Sequence, residues 1–345
     1  MIFSSYEFIF IFLPITFCLY FYLNKNKLTK LATGSLAFAS LFFYSWWNII
    51  YLPLILGSVA MNYFISHLIL MSKLPKKPLM ILGVLFNLSL LGFFKYSSFF
   101  LQNINLVFNT SYSFFNLILP LAISFFTFQQ IAFLADSFKG YVTKPTFLNY
   151  LVFVTFFPQL IAGPIVHHKE MMPQFIEKIN KSISYKNIYL GVFIFSIGLF
   201  KKVVIADTFS IWALNGFDVM EQLSLVEAWV TSLSFTFQLY FDFSGYTDMA
   251  IGSALLFNIK LPLNFNSPYK SQNIREFWKR WHITLSRFLR DYIYIPMGGN
   301  RKGSFKMYSN LFTTFLIGGL WHGAGWTFIF WGAMHAFAII LHRIW

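Results

Sequence analysis

The sequence is poor in charged residues and has a single cysteine, Cys18. Charged residues make up 11% of the 345 residues, while hydrophobic residues make up 57%. Soluble domains carry about 25% charged residues, so this composition excludes a soluble domain as the starting interpretation. One cysteine excludes a disulfide framework and a thiolate metal site, and gives little support for a cysteine nucleophile.

What the sequence has instead is a series of apolar runs. A helix needs ~20 residues to span about 30 Å of hydrocarbon, and several of the runs are shorter than that. We therefore predict an all-α polytopic membrane protein with about 9–11 tilted or re-entrant segments. The runs cover residues 8–23, 31–44, 54–71, 79–94, 114–135, 147–165, 188–200, 229–241, 249–257, 311–320 and 327–341.

The positions of the lysines predict the orientation of the first segment. No basic stretch precedes the first apolar run, so a cleavable signal peptide is not expected. Lys25, Lys27 and Lys30 follow that run, and the positive-inside rule places them in the cytoplasm and the N-terminus outside. The net charge of +14 arises from basic residues between apolar runs, where anionic lipid explains it, so we expect no nucleic-acid partner.

The most basic stretch, residues 260–306, contains an amphipathic pattern at residues 273–295. Apolar side chains fall on one stripe at about 100° per residue, and basic side chains lie on the other side. Such a helix lies in the membrane interface rather than crossing it. His282 falls between the two faces, where it either points into a cavity or contacts lipid head groups. In the following turn, exposed amides beside Arg301 and Lys302 could hold phosphate oxygens, or the turn could be only a basic cytoplasmic loop.

A histidine lies within the last long apolar segment, residues 307–342. One helix of that length would measure about 54 Å, so the segment must tilt, break or fold back. Glycines at positions 318, 319, 323 and 325 predict the break, which puts His322 at membrane depth beside irregular backbone. An ionisable ring there is a candidate functional group, although it could only bridge two helices. His335 would be a poor partner for His322 on an unbroken helix, so a structural or interfacial role is expected for it.

Two further acids, Asp242 and Asp248, lie in apolar surroundings. Each would cost about 2.5–3.5 kcal/mol at the bilayer centre, so we expect them to pair with arginines of the basic helix or to line a polar cavity. Structural pairing and direct chemistry both remain open. A metal site is poorly supported, because no histidine joins these acids at helical spacing.

As a set, these motifs resemble the membrane-bound O-acyltransferase family. The resemblance is carried by residues 240–252 (YFDFSGYTDMAIG), 276–286 (EFWKRWHITLS) and 320–323 (LWHG). Residues 290–303 (RDYIYIPMGGNRKG) resemble the branch that O-acetylates alginate and other envelope polysaccharides. The resemblance implies a ring of helices around a central funnel in one membrane-embedded domain over residues 1–345. Because relatives continue with further helices whereas this chain stops at Trp345 in an apolar run, we expect a C-terminally truncated form.

The resemblance also implies a reaction, namely transfer of acetyl groups from a cytoplasmic thioester for O-acetylation of an alginate-like polysaccharide, peptidoglycan or another glycan. It implies acetyl-CoA as donor, no bound cofactor, a bacterial inner-membrane location and a periplasmic SGNH-like acetyltransferase as partner. His322 is then expected as the general base and His282 as a second catalytic group that orients substrate or stabilises the oxyanion. D-alanyl or lipid O-acyl transfer is the alternative; a non-catalytic scaffold and a proton-coupled transporter are less favoured, the latter because the sequence has no internal repeat. Further candidates for binding donor or substrate are Asp242, Asp248, Arg301, Lys302 and Trp321.

Overall fold

The structure, a computed structural model, describes residues 1–113, 118–143, 145–161 and 163–345. Within these ranges the chain forms helices joined by turns and loops, without a strand. The predicted all-α class is therefore confirmed. The predicted run 114–135 begins with residues 114–117, which lie outside the described ranges, as does residue 162 of the run 147–165.

Helices account for most of the described chain. Wider π-helical turns extend several of them, at Glu7–Phe12, Gly92–Tyr96, Lys201–Ala206, Asn215–Val219 and Arg290–Tyr294. The α-helices in chain order are α1 (Leu13–Lys25), α2 (Thr29–Ser45), α3 (Leu52–Met71), α4 (Lys76–Leu91), α5 (Ser97–Phe108), α6 (Ile123–Phe138), α7 (Phe147–Thr155), α8 (Phe157–Leu160), α9 (His168–Ile176), α10 (Tyr185–Phe200), α11 (Asp207–Leu214), α12 (Leu225–Leu256), α13 (Ile274–Arg280), α14 (Ile283–Leu289), α15 (Gly303–His322) and α16 (Trp326–Ile344).

Several helical stretches match the thickness of a bilayer. In the described ranges, five are long and apolar enough to cross a membrane. This makes the protein a polytopic membrane protein, while the predicted total of about 9–11 segments stays a prediction. The five stretches are Glu7–Lys25, Ile49–Met71, Lys76–Phe108, Tyr185–Val219 and Trp326–Ile344.

The helices form two compact units, each made of two chain segments. The first unit contains Met1–Ile49 and Thr146–Leu263, and the second contains Ile50–Pro145 and Asn264–Trp345. The first unit thus holds the acidic α12, and the second holds both candidate catalytic histidines. The prediction of a single domain stays a prediction.

In the first unit, α10 and α12 approach closely because glycines face each other. A Cβ added to Gly198 would lie 2.6 Å from the carbonyl oxygen of Gly245, and one added to Gly252 would lie 2.6 Å from that of Gly191. Small residues of this kind let helix backbones touch in a membrane. The contact brings the turn after α10 beside the acids of α12.

In the second unit, α3, α4 and α6 enclose a cluster of amide side chains. Asn87 Nδ2 donates to Asn62 Oδ1 at 2.6 Å, and Ser58 Oγ donates to Gln130 Oε1 at 3.1 Å. Asn62 also contacts Gln130. All of these side chains are buried. Hydrogen bonds between helices are a usual source of association in an apolar environment, so this cluster fixes the packing of the three helices.

Candidate functional site

The last apolar segment breaks directly after His322. Helix α15 ends at this residue, and α16 begins at Trp326. A break was predicted within residues 318–325, and the structure confirms it at residues 323–325, while α15 continues through residues 318–319. A Cβ on Gly323 would lie 2.1 Å from the ring of Phe328, so any larger residue at this position would force that ring to move.

After the reversal, α16 packs tightly against α15. A Cβ on Gly319 would lie 2.3 Å from the carbonyl oxygen of Phe328, which shows how closely the two backbones approach. Trp331 consequently lies against His322, with 4.9 Å between ring centroids, and His335 lies 4.5 Å from the same indole. The break thus brings His335 near His322, which an unbroken helix would not do, while the structural or interfacial role expected for His335 stays a prediction.

The predicted helix over residues 273–295 is in fact two helices, α13 and α14, separated at His282. This residue has the left-handed φ of 42°, which few non-glycine residues adopt. The amide of Asn266 donates to the carbonyl of Arg280 at 3.0 Å, and the amide of Ile283 donates to the carbonyl of Asn264 at 2.9 Å. These bonds to a preceding loop replace helical bonds, and so they end α13 and begin α14.

The break buries His282 beside Trp321. The His282 side chain is 1% exposed, and its ring centroid lies 5.8 Å from that of Trp321. Burial, reinforced by the nearby His322, lowers the pKa of His282 to about 3, so this ring is neutral at pH 7. Trp321 is itself buried and stacks on Phe128 at 5.6 Å. The structure thus brings His322, Trp321 and His282 together, with the indole in contact with both imidazoles.

His322 is exposed to an apolar cavity of about 280 Å³. Trp278 and Trp331 line this cavity together with His322, whereas His282 and Trp321 do not. The charged side chains on its wall are all basic, which favours an anionic group at one end of an apolar ligand. Those basic residues are Arg275, Lys279 and Arg290.

A second, polar cavity of about 580 Å³ shares Arg275 and Lys279 with the apolar one. Its one acid, Glu276, binds Arg280, with 2.7 Å between the Nη2 and Oε1 atoms, and accepts a hydrogen bond from the amide of Gln272. Arg275 and Lys279 are exposed. The surface they form is positively charged and lies next to the cavity of His322.

The loop that carries Arg301 and Lys302 lies elsewhere in the second unit. Asn310 Nδ2 donates to the carbonyl of Gly299 at 3.1 Å and so anchors the turn to α15. Arg301 and Lys302 are exposed, and neither lines either of these two cavities. The structure therefore does not bring this predicted phosphate site to His322.

Asp242 and Asp248 form ion pairs with lysines of the first unit. Lys201 Nζ lies 2.6 Å from Asp248 Oδ2, and Lys202 Nζ lies 2.7 Å from Asp242 Oδ1. Both lysines belong to the π-helical turn after α10. The expected pairing with arginines of the basic helix is wrong, because these two lysines are the ion-pair partners of the acids in the structure. No group of three or more potential metal ligands occurs within the ranges that the structure describes.

The sequence reasoning missed two residues that surround His322. Trp331 was not identified because it meets His322 only after the chain reverses. Lys95, which contacts the carbonyl of Trp321, could have been identified from the sequence, because it is a lone lysine in a long apolar stretch.

The fold and the site define a class of protein: a polytopic helical membrane protein with an accessible histidine in an apolar cavity lined by basic side chains. The chain belongs to the membrane-bound O-acyltransferase family, whose model matches residues 137–345. This confirms the resemblance, and the protein is a membrane-bound O-acyltransferase.

Three relatives place the chain within that family. It is 55% identical to the peptidoglycan O-acetyltransferase of Helicobacter pylori, over 99% of this chain and 70% of the relative. It is 41% identical to a probable alginate O-acetylase, AlgI, of Pseudomonas putida, over 99% of this chain and 71% of the relative. Identity to the teichoic acid D-alanyltransferase of Bacillus subtilis is 30%, over 64% of this chain and 58% of the relative. The similarity is thus greater to O-acetyl transfer proteins than to a D-alanyl transfer protein.

Proposed function

We propose that the protein takes acetyl groups from acetyl-CoA and transfers them across or into the inner membrane for O-acetylation of an envelope glycan. The observation that carries this proposal is the exposure of His322 to an apolar cavity whose wall also presents Arg275 and Lys279. The higher identity to a peptidoglycan O-acetyltransferase than to an alginate O-acetylase favours peptidoglycan as the acceptor.

The two adjoining cavities match the two ends of acetyl-CoA. Its phosphates are anionic, and guanidinium and ammonium groups bind phosphate oxygens strongly. The phosphates bind at Arg275 and Lys279, where the polar cavity meets the apolar one. The uncharged thioester end then enters the apolar cavity and reaches His322.

His322 acts as the general base of the transfer. Its neutral imidazole accepts the proton of the acceptor hydroxyl as that oxygen attacks the thioester carbonyl. A carbon–oxygen bond forms and the carbon–sulfur bond breaks, after which the imidazolium returns the proton to the departing thiolate. General-base assistance of this kind contributes about 10²–10⁴ in rate. His282 contributes to the reaction indirectly. It contacts Trp321 and holds the indole that packs on His322.

The location and the partner complete the proposal. The N-terminus lies in the periplasm because Lys25, Lys27 and Lys30 follow the first membrane segment. The acetyl group passes to a periplasmic SGNH-like acetyltransferase, which modifies the glycan. Asp242 and Asp248 support the fold of the first unit through their lysine partners.

Substitution of the general base tests this function. Membrane vesicles are prepared from a host that lacks its own envelope O-acetyltransferase and produces the protein, its partner and the glycan. His322→Ala is expected to lower the transfer of label from radiolabelled acetyl-CoA to the glycan by about 10²–10⁴. His67→Ala, which removes an exposed histidine from α3, serves as the matched control and should transfer at the wild-type rate. Full transfer by His322→Ala at a normal protein level would refute the proposed role.

A further inference from the structure

Lys95 joins a membrane-crossing stretch to the helix that carries His322. It lies in the stretch Lys76–Phe108, where its ammonium group donates to the carbonyl of Trp321 and, at 3.3 Å, to Ser124 Oγ. A lysine in a membrane-crossing stretch is energetically costly and marks a functional position by default. Because Lys95 binds the carbonyl of Trp321, the residue before His322, its function is expected to concern the position of His322.

The neighbouring Tyr96 binds the same helix end. Its hydroxyl donates to the carbonyl of Leu320 at 2.7 Å. The last four carbonyls of a helix have no partner within it, and in α15 these belong to residues 319–322. Gly319 accepts from the amide of Gly323 at 3.3 Å, so Tyr96 and Lys95 supply donors for the two carbonyls that follow.

The local backbone and the charge of Lys95 both suit this task. Lys95 and Tyr96 belong to the π-helical turn Gly92–Tyr96, and single turns of this kind are frequent at functional sites. A positive charge at a helix C-terminus is stabilised by the helix dipole. The ammonium group also lies 5.7 Å from the ring centroid of Trp321, the indole that contacts His322.

We infer that Lys95 is a positioning residue for the transfer reaction: with Tyr96, it fixes the C-terminal end of α15 so that His322 faces the apolar cavity. The inference rests on the proposed role of His322 as general base. Lys95 does not line the apolar cavity, so it acts through the helix end and not on the substrate. Its loss should therefore slow the chemical step without weakening the binding of the donor.

The test compares side chains of graded donor capacity at position 95. In the vesicle assay, initial rates are measured against the concentration of radiolabelled acetyl-CoA. Lys95→Met, which removes both charge and donors, should lower kcat by about tenfold or more while KM stays within about twofold, since a charged donor binds a carbonyl more strongly than a neutral one. Lys95→Gln retains donors and should recover part of that loss. Lys77→Met, at an exposed position of α4, is the control and should match the wild type.

A second variant keeps the inference testable if Lys95→Met does not fold. Tyr96→Phe removes only the hydroxyl that binds Leu320 and should lower kcat by about threefold or more, with KM unchanged, for the loss of one buried hydrogen bond. Protein level and the gel-filtration profile in detergent establish folding. If Lys95→Met folds and has the kcat of the wild type, the inference is overturned. If Lys95→Met does not fold, a wild-type kcat in Tyr96→Phe overturns it instead. If His322→Ala is inactive in the same assay, the proposed function survives that result, whereas an active His322→Ala overturns both.

Discussion

His322 and His335 pack against the same indole, that of Trp331. Their ring centroids lie 4.9 Å and 4.5 Å from its centroid. His335 also contacts Trp278, at 5.1 Å, and so fills a cluster of aromatic rings behind the cavity. The two histidines share an environment, but only His322 lines the apolar cavity.

The first prediction separates these two histidines by function. His335→Phe keeps an aromatic ring against Trp331 and should change the rate of acetyl transfer by less than about tenfold, because aromatic contacts contribute about 0.5–1.5 kcal/mol. His322→Phe removes the general base and should lose about 10²–10⁴ in rate. Both rates are measured as label transferred from radiolabelled acetyl-CoA in vesicles. An equal loss in the two variants would assign His335 to the chemistry as well.

The second prediction concerns the close contact between α15 and α16. Gly319→Ala places a methyl group 2.3 Å from the carbonyl oxygen of Phe328, so the helices must move apart. We expect the variant to lose about 1–3 kcal/mol of stability, as overpacked sites do. Gly57→Ala is the control, because a Cβ at Gly57 in α3 meets nothing within 4 Å. Thermal unfolding of the two proteins in detergent measures the difference, and equal midpoints would show that α15 and α16 tolerate separation.

The sequence predicted features that depend on composition and length. The all-α class followed from the apolar runs, and the break after His322 followed from a segment too long for one helix and from its glycines. The break at His282 could not be predicted in this way, because it depends on backbone bonds to Asn264 and Asn266. Likewise, the lysine partner of Asp248 depends on the approach of α10 to α12, which amphipathic patterns do not reveal.

The third prediction locates the phosphates of the donor. The double variant Arg275→Ala/Lys279→Ala removes two charges from the wall shared by the two cavities. It should raise the KM for acetyl-CoA by about tenfold or more, because charged hydrogen bonds contribute about 1.5–3 kcal/mol each. Arg301→Ala/Lys302→Ala removes the same charge from a loop that lines neither cavity. The opposite result, with KM raised only by the loop variant, would place the donor at that loop, as the sequence alone suggested.

The fourth prediction tests whether Asp248 is structural. Its ion pair with Lys201 has both side chains about three-quarters buried, at 23% and 24% exposed. Lys201→Met should lower the thermal midpoint in detergent, because it leaves a mostly buried carboxylate without this partner. Lys201→Met/Asp248→Leu removes both charges and should recover much of the loss. If the double variant folds but cannot transfer acetyl groups, Asp248 has a role in substrate binding in addition to its ion pair with Lys201.

The last prediction follows from the burial of His282. Burial lowers the pKa of this imidazole from 6.5 to about 3, so the folded protein resists its protonation whereas the unfolded chain does not. The stability that the protein gains by keeping His282 neutral is therefore fully present above pH 6.5. It is lost as the pH falls from 6.5 towards 3, by up to about 1.4 kcal/mol per pH unit.

His282→Asn isolates this contribution. Asparagine tolerates the left-handed backbone at position 282 but does not titrate, so other effects of pH remain common to both proteins. Thermal midpoints are measured in detergent from pH 7.5 to pH 5. The wild type should lose about 2 kcal/mol more than the variant over the acidic part of this range, as one buried histidine requires. Identical pH dependence of the two proteins would show that water reaches His282, and Trp321 would then not shield it.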